Sequence, residues 1–387
     1  MRKRCISLAV AIMMLLTMLS GMTLATAAEQ GAGQEGTSEL MGEVYKTFNF
    51  KSAEVDGAIN VKNTDMYDAS KGYGFVKTNS AMPARTVDPS KIKQDENGCS
   101  ITETDATTTY SNVNHYNYGG LIFRVDVDAL GGYSLDVNTT ADTNSGTAYI
   151  APNGMQASRL TGGGSWDSAG LVNKTGMAVW DNNNWKYDYV TGVPYIELEI
   201  EPNKRPTSAG TTVGIESFTL TKFGNNVRTA DEKPTVFVLG DSTQKTYTFE
   251  EDSMSGWGQT INRMFDLEKV NVINYSMGGR SVKANYDEGR FNDVLYVAKE
   301  GDFVLFHSAH NDESTGADKG PEARFGRGSN STTYPKWLDI YCAAMEERGV
   351  TPILVSGMPR TSNGVASVSS EKPRGFNPNS PQFMEDK

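Results

Sequence analysis

The chain has 387 residues, which is enough for two domains with substantial cores. Its formal net charge is −11, and removal of residues 1–27, which carry three positive charges and no negative ones, would bring it to −14. This acidity argues against nucleic acid or an anionic membrane surface as a partner. Three histidines and isolated cysteines offer no metal-ligand cluster, so neither a metal nor another cofactor is expected.

The N-terminal segment has the pattern of a secretory signal peptide. A basic stretch, Arg2-Lys3-Arg4, precedes a largely apolar run over residues 6–22, and Ala25-Thr26-Ala27 fits a cleavage site. An uncleaved membrane anchor is the alternative, but the cleavage motif favours removal of residues 1–27. We therefore expect an exported protein with no membrane association after cleavage. Residues 28–43 are polar and glycine-rich, which predicts a flexible leader.

Residues 44–223 show apolar residues at every second position. Leu121, Phe123 and Val125 alternate with Arg124 and Asp126, and similar alternation recurs at 133–137, 196–200 and 218–221. Clusters of Gly, Asn, Asp and Thr separate these runs. Short half-buried strands of this kind predict an antiparallel β-sandwich. It resembles sandwiches of the galactose-binding-like type, and that resemblance implies a carbohydrate-binding module.

Within the predicted sandwich, aromatic residues concentrate in a short stretch rich in Gly and Asn. Planar rings in loops can stack on sugars, whereas the rings of a sandwich more often fill its core, and the sequence leaves both possibilities open. The candidate substrate-binding residues are Trp166, Trp180, Trp185 and Tyr187.

The pattern changes after residues 224–233, which are predicted to be a linker. Over residues 234–387, apolar strand-like runs near 235–239, 270–275, 302–307 and 352–356 alternate with helical patterns. Strands that alternate with helices predict right-handed crossovers and a parallel sheet. The helical faces are Trp257, Ile261, Met264 and Phe265; Phe291, Val294, Leu295 and Ala298; and Trp337, Tyr341, Ala344 and Met345.

Three polar motifs follow the first three of these strands. They are Gly240-Asp241-Ser242-Thr243, Gly278-Gly279-Arg280-Ser281 and His310-Asn311-Asp312. Each alone is typical of a turn or a cap. The carboxyl ends of parallel strands meet at one edge, however, so together they predict one site: a serine nucleophile, an uncovered glycine N–H and an asparagine amide around a developing oxyanion.

In this order and spacing the motifs resemble the first three sequence blocks of the GDSL/SGNH hydrolase superfamily. Gly256-Trp257-Gly258-Gln259 and Gly301-Asp302 also resemble its rhamnogalacturonan acetylesterase branch, and the resemblance covers about residues 234–360. It implies a flavodoxin-like sheet and ester hydrolysis through an acyl-serine intermediate. By the same resemblance Ser242 is the nucleophile, Gly279 and Asn311 are oxyanion donors, and the supporting residues are Asp241, Arg280 and His310.

The chain departs from the family pattern at its C-terminal end. The family supplies its catalytic base as an Asp-x-x-His pair, which does not occur here. His115 belongs to the β-rich part, and His307 is expected inside a strand. We therefore expect the hydrolase domain to be truncated and the chain as given to be poorly active, with a natural pseudoenzyme as the alternative.

The implied function is a secreted esterase that removes O-acetyl groups from pectin-type polysaccharide, an acetylated component of plant cell walls. A non-catalytic carbohydrate-binding protein with an inert hydrolase-like scaffold is one alternative, and a lipolytic esterase of the same superfamily is another. Four cations flank the motifs and would offset the negative net charge locally, or else be solvated surface residues. These cations are Lys245, Arg280, Lys283 and Arg290.

Overall fold

The first part of the chain is built from β-strands. The computed structural model describes residues 42–103, 120–128, 130–144, 147–155, 179–202, 211–248, 254–312 and 333–357. The strands are β1 (Glu43–Asn49), β2 (Ile59–Asn60), β3 (Tyr73–Phe75), β4 (Thr78–Asn79), β5 (Met82–Thr86), β6 (Lys93–Asp95), β7 (Gly98–Glu103), β8 (Leu121–Asp126), β9 (Gly131–Thr139), β10 (Ala148–Pro152), β11 (Val179–Asp181), β12 (Asn184–Thr191), β13 (Tyr195–Pro202) and β14 (Thr211–Phe223).

These strands form two main sheets whose pairings are antiparallel apart from the β1–β2 contact. One sheet has the order β11-β12-β9-β14-β1-β2, with β7 also paired to β14 and β6 to β7. The other has the order β10-β13-β8-β3, and β4 pairs with β5 separately. Phe48 of the first sheet contacts Phe123 of the second, with ring centroids 5.1 Å apart. The inward-facing rings of the two sheets therefore share one core.

The alternation seen in the sequence describes β8 well and β13 less well. Leu121, Phe123 and Val125 are buried, as predicted. On β13, however, Glu197 and Glu199 are buried as fully as the apolar residues between them. Glu197 accepts hydrogen bonds from the N–H and the hydroxyl of Ser80, at 2.7 and 2.6 Å. The polar face of β13 is thus covered, and buried polar partners take the place of solvent.

In its described residues, the second part contains a parallel sheet and three α-helices. Its strands have the order β16-β15-β17-β18, and every neighbouring pair is parallel. None of the helices in the described ranges has the length and hydrophobicity needed to cross a membrane. The elements are β15 (Thr235–Gly240), β16 (Asn271–Asn274), α1 (Val282–Asp287), α2 (Arg290–Val297), β17 (Phe303–His307), α3 (Thr333–Glu347) and β18 (Thr351–Leu354).

Two of the three predicted helical faces are confirmed, and one is wrong. The predicted faces around Phe291 and Trp337 are the buried sides of α2 and α3. The stretch predicted as a helix from Trp257 instead forms short 3₁₀ turns at Trp257–Gln259 and Ile261–Met264, with the Met264 side chain exposed. The reason is tertiary: a Cβ on Gly256 would lie 2.4 Å from the Lys245 carbonyl oxygen, so the local path is set by close packing against that loop.

Residues 224–233 are hydrogen bonded to the second part along much of their length. The Asn226 amide donates to the carbonyl oxygens of Tyr296 and Ala298, at 2.7 and 3.0 Å. Arg228 forms an ion pair with the buried Asp302, at 2.5 Å. Contacts group Leu40–Lys387 into one unit, so the composition change at 224–233 does not mark a gap in the packing.

Candidate active site

The turn after β15 carries Ser242 and is held by its own side chains. Asp241 is fully buried, and its Oδ1 accepts hydrogen bonds from the N–H and the hydroxyl of Thr243, both at 2.8 Å. The Asp241 N–H donates to Gln244 Oε1 at 2.6 Å. Ser242 itself is half-buried. The arrangement presents Ser242 at the carboxyl end of β15 on a locally fixed backbone.

The glycine loop after β16 lies against this serine. A Cβ built on Gly278 would be 3.8 Å from Ser242 Cβ, which is ordinary van der Waals contact. Gly279 has φ +80°, a left-handed conformation that favours glycine. Within the described residues the Gly279 N–H donates no hydrogen bond to the protein. The turn role of this glycine and an oxyanion-donor role are thus compatible.

Asn311 joins the same cluster from the end of β17. Its Nδ2 donates to the Arg280 carbonyl oxygen at 3.1 Å, which uses one of the two N–H bonds of the amide. The neighbouring Asp312 is buried and accepts from the Val282 N–H at 3.1 Å and from the Ser308 hydroxyl. The segments that follow β15, β16 and β17 therefore lie together at one edge of the sheet.

Within the described residues, no hydrogen bond joins Ser242 Oγ to an imidazole or a carboxylate. His307 is buried at the end of β17, and its Nδ1 accepts from Trp257 Nε1 at 3.3 Å. Burial lowers the pKa of His307 to about 4, against the attraction of the Asp241 carboxylate and with the repulsion of His310. His307 is therefore neutral at pH 7. His310 is half-buried in the turn before Asn311, and His115 lies outside the described residues.

The flanking cations are neither solvated surface residues nor exposed charges. Arg280 is only 4% exposed; its Nε donates to Glu288 Oε2 at 2.9 Å and its Nη1 to the Gly278 carbonyl oxygen at 2.7 Å. Arg290 pairs with the same Glu288 oxygen, and Lys283 pairs with Asp287 at 2.5 Å. The surface alternative was wrong because the helices and the glycine loop cover these side chains. The hydrogen bond from Arg280 therefore holds the Gly278 peptide in place.

The sugar-stacking expectation is corrected for Trp185 and Tyr187. Trp185 is 0% and Tyr187 2% exposed, and both lie in the core on β12 rather than in a loop. Trp180 is half-buried on β11, packed against that core, and pairs across the strands with Trp185. Trp166 lies outside the described residues. The surrounding Asn and Asp residues indicated a loop, but they form the turn between β11 and β12 and the polar positions of the strands.

Several residues at the site have no counterpart in the sequence motifs. Gln244 is buried and contacts both Thr243 and His307, and Glu288 binds two arginines. Neither residue belongs to a sequence pattern that indicates a functional site. Their roles become visible only from the partners that the folded chain brings into contact with them. Among the described residues, no cluster of three or more His, Cys, Asp or Glu could hold a metal ion.

No family model matches the chain. Among curated proteins it is 34% identical over 125 residues to the probable rhamnogalacturonan acetylesterase YesY of Bacillus subtilis, covering 32% of this chain and 54% of that protein. It is 30% identical over 126 residues to the rhamnogalacturonan acetylesterase RhgT of the same organism, covering 32% and 49%. The chain spans about half the length of these two relatives.

A longer match is to the uncharacterized esterase YxiM of Bacillus subtilis, 26% identical over 320 residues and covering 82% of this chain and 69% of that protein. A crystal structure of YxiM is 18% identical, covers 88% of this chain and 82% of its own, and gives a TM-score of 0.32. The resemblance of the three motifs to the rhamnogalacturonan acetylesterase-like GDSL/SGNH hydrolases is confirmed by these relatives.

Proposed function

We propose that the protein is a secreted carbohydrate esterase that removes O-acetyl groups from pectin-type polysaccharide through an acyl-serine intermediate. The observation that carries the proposal is the contact between the Ser242 turn and the Gly278 loop, with the Asn311 amide bonded to the residue after Gly279. A nucleophile and two candidate donors at one sheet edge are among the parts that acyl transfer requires. The relatives named as rhamnogalacturonan acetylesterases support the choice of substrate.

In this proposal Ser242 Oγ attacks the acetyl carbonyl carbon. The negative charge that develops on the carbonyl oxygen is stabilised by the N–H groups of Ser242 and Gly279 and by the remaining Asn311 N–H. Arg280 holds the Gly278 peptide through its carbonyl, so the loop keeps its shape as charge develops. Within the described residues no hydrogen bond joins Ser242 Oγ to a base that would accept the serine proton; in the family that the motifs resemble, an Asp-x-x-His pair performs this step.

The finer organisation is part of the same proposal. A signal peptide over residues 1–27 would direct export, residues 44–223 would form a β-sandwich module, and residues 234–387 would form a flavodoxin-like hydrolase domain. The parallel strand order β16-β15-β17-β18 supports the flavodoxin-like hydrolase domain, since it places the first strand of the sheet, β15, between the second and the third.

The test is acetate release from acetylated pectin by the full-length protein and by its Ser242→Ala variant. We expect loss of the nucleophile to lower the rate by at least about a thousandfold, because a triad enzyme without its serine retains only residual catalysis. Ser255→Ala, at an exposed serine, is the matched control and should be fully active. Equal release by all three proteins would exclude Ser242 as the nucleophile.

A second candidate is favoured by the lack of a hydrogen-bonded base at Ser242 in the described residues: a carbohydrate-binding protein with an inert hydrolase-like part. It predicts that the intact protein binds acetylated pectin and releases no acetate. Binding with unchanged acetyl content, measured on the same samples, would support it over the esterase.

A further inference from the structure

Strand β12 of the antiparallel sheet contacts α1 through a buried pair of tyrosines. The hydroxyl groups of Tyr189 on β12 and Tyr286 on α1 are 2.7 Å apart, and both side chains are almost fully buried. Asn153 Nδ2 also donates to the Tyr189 hydroxyl at 2.9 Å. On α1, the Tyr286 ring packs on Trp337 of α3, with centroids 4.5 Å apart. The tyrosine pair thus connects the β-rich part to the helices around the candidate site.

A side chain of α2 completes the open edge of the same strand. In the described part of the chain, strand β11 pairs with β12 only as far as Lys186, and no other described strand pairs with the later peptides of that edge. Asn292 accepts from the Val190 N–H at 2.8 Å and donates to the Asp188 carbonyl oxygen at 2.9 Å, as a neighbouring peptide would. It is 1% exposed. The strand and the helices are therefore held in one fixed relation.

Helix α1 connects these contacts to the loop that contains Gly278 and Gly279. It begins at the N-cap Ser281, directly after Gly279 and Arg280, and has only six residues. A helix this short is not stable alone, so tertiary contacts decide its position. At its first turn the Val282 N–H bonds Asp312, and one turn later Tyr286 bonds Tyr189. The two ends of α1 are fixed by different parts of the chain.

We propose that Tyr189 and Tyr286 are a positioning pair, through which the antiparallel sheet fixes α1 and with it the Gly279 N–H at the oxyanion position. The inference rests on the proposed function for its catalytic consequence. The β-rich part then helps to hold an oxyanion donor in position, a role that is separate from any binding of polysaccharide.

The first test measures hydrogen exchange by mass spectrometry on the chain and on Tyr189→Phe, and does not depend on activity. We expect peptides covering residues 278–288 to exchange about tenfold faster in the variant, since the Tyr189 hydroxyl loses its hydrogen bonds to Tyr286 and Asn153, while β8 and β17 keep their protection. Tyr45→Phe is the matched control, because the Tyr45 hydroxyl accepts a hydrogen bond from the Asp128 N–H within the β-rich part, away from α1. Unchanged exchange at 278–288, or equal acceleration everywhere, would overturn the proposal.

The second test measures acetyl-ester hydrolysis by the full-length protein. Tyr189→Phe and Tyr286→Phe should each lower kcat about tenfold with KM within about twofold, because the loss concerns the transition state. The double variant should be no slower than either single one, since both remove the same contact. Additive losses, or a change in KM alone, would contradict the pairing. Absence of activity in the unaltered protein would reject the proposed function and leave the exchange result to decide the pair.

Discussion

Gly240, two residues before Ser242, lies close both to the turn that follows it and to β17. A Cβ there would lie 2.2 Å from Gln244 Oε1 and 2.2 Å from the His307 carbonyl oxygen. Its backbone is not in the left-handed region, so the position requires space and not unusual dihedral angles. The glycine that opens the serine motif is thus fixed by the packing of β15 against β17, with which it pairs in register.

Replacement of Gly240 by alanine should therefore destabilise the protein and displace the Ser242 turn. Overpacking a tight interior site typically costs about 1–3 kcal/mol in free energy of unfolding, which urea denaturation would measure. Gly224→Ala is a suitable control, since nothing lies within 4 Å of a Cβ at that position and its φ is not positive. Equal unfolding midpoints for the two variants would show that the contact at Gly240 is relieved at no cost.

At the scale of elements, the junction of α1 and α2 is organised around one carboxylate. Glu288 is the C-cap of α1, and its Oε2 accepts from the Nε atoms of Arg280 and Arg290, both at 2.9 Å. Arg280 lies before α1, and Arg290 is the first residue of α2. A single side chain therefore ties the glycine loop to the beginning of the next helix.

Glu288→Gln should be strongly destabilising, because it removes the negative charge between two buried guanidinium groups. Loss of one partner of a buried ion pair costs about 3–5 kcal/mol, and the shared position of Glu288 favours the upper part of that range. The exposed Glu268→Gln provides a control with the same chemical change and should shift the free energy of unfolding by less than about 0.5 kcal/mol. A stability of E288Q close to that of the control would contradict the buried-pair interpretation.

The elements differ in how far the sequence could predict them. The periodic spacing of apolar residues was sufficient to predict α2 and α3, whose buried faces are continuous. It failed after Trp257, where the backbone path depends on glycines packed against a loop distant in sequence. The motifs predicted that three segments meet at one sheet edge, because that follows from parallel topology. They could not reveal Gln244 or Glu288, since the roles of these residues depend on partners supplied only by the folded chain.

At the scale of the whole molecule, two buried ionisable groups bias stability in opposite directions. Burial raises the pKa of Asp293 on α2 to about 8, although the charge of Arg290 opposes this. Asp293 lies near Tyr187, where α2 meets β12, and its Oδ1 has no hydrogen-bond partner in the described residues. His307 has the reverse shift, with a pKa of about 4. The folded protein thus keeps a proton on Asp293 and none on His307 at pH 7.

The two shifts give a specific pH dependence. Because of His307, the free energy of unfolding falls as pH drops from the ordinary histidine pKa of 6.5 towards 4, since the unfolded chain then binds the extra proton. Because of Asp293, the free energy of unfolding falls as pH rises from the ordinary aspartate pKa of 3.8 towards 8, since the folded chain then holds a proton that the unfolded chain has lost. The opposing effects overlap up to about pH 7.5, and the Asp293 effect is the larger of the two between pH 6.5 and 8. Over that interval we therefore expect the free energy of unfolding to fall by about 1 to 1.5 kcal/mol.

Asp293→Asn removes the titrating proton and should flatten this slope, whatever its effect on stability at a single pH. The exposed Asp142→Asn should retain the slope of the unaltered protein. Urea unfolding of the three proteins at intervals across pH 6.5–8 measures the difference directly. A slope in D293N as steep as in the unaltered chain would mean that another group titrates in the folded state, and that α2 meets β12 without a protonated carboxyl between them.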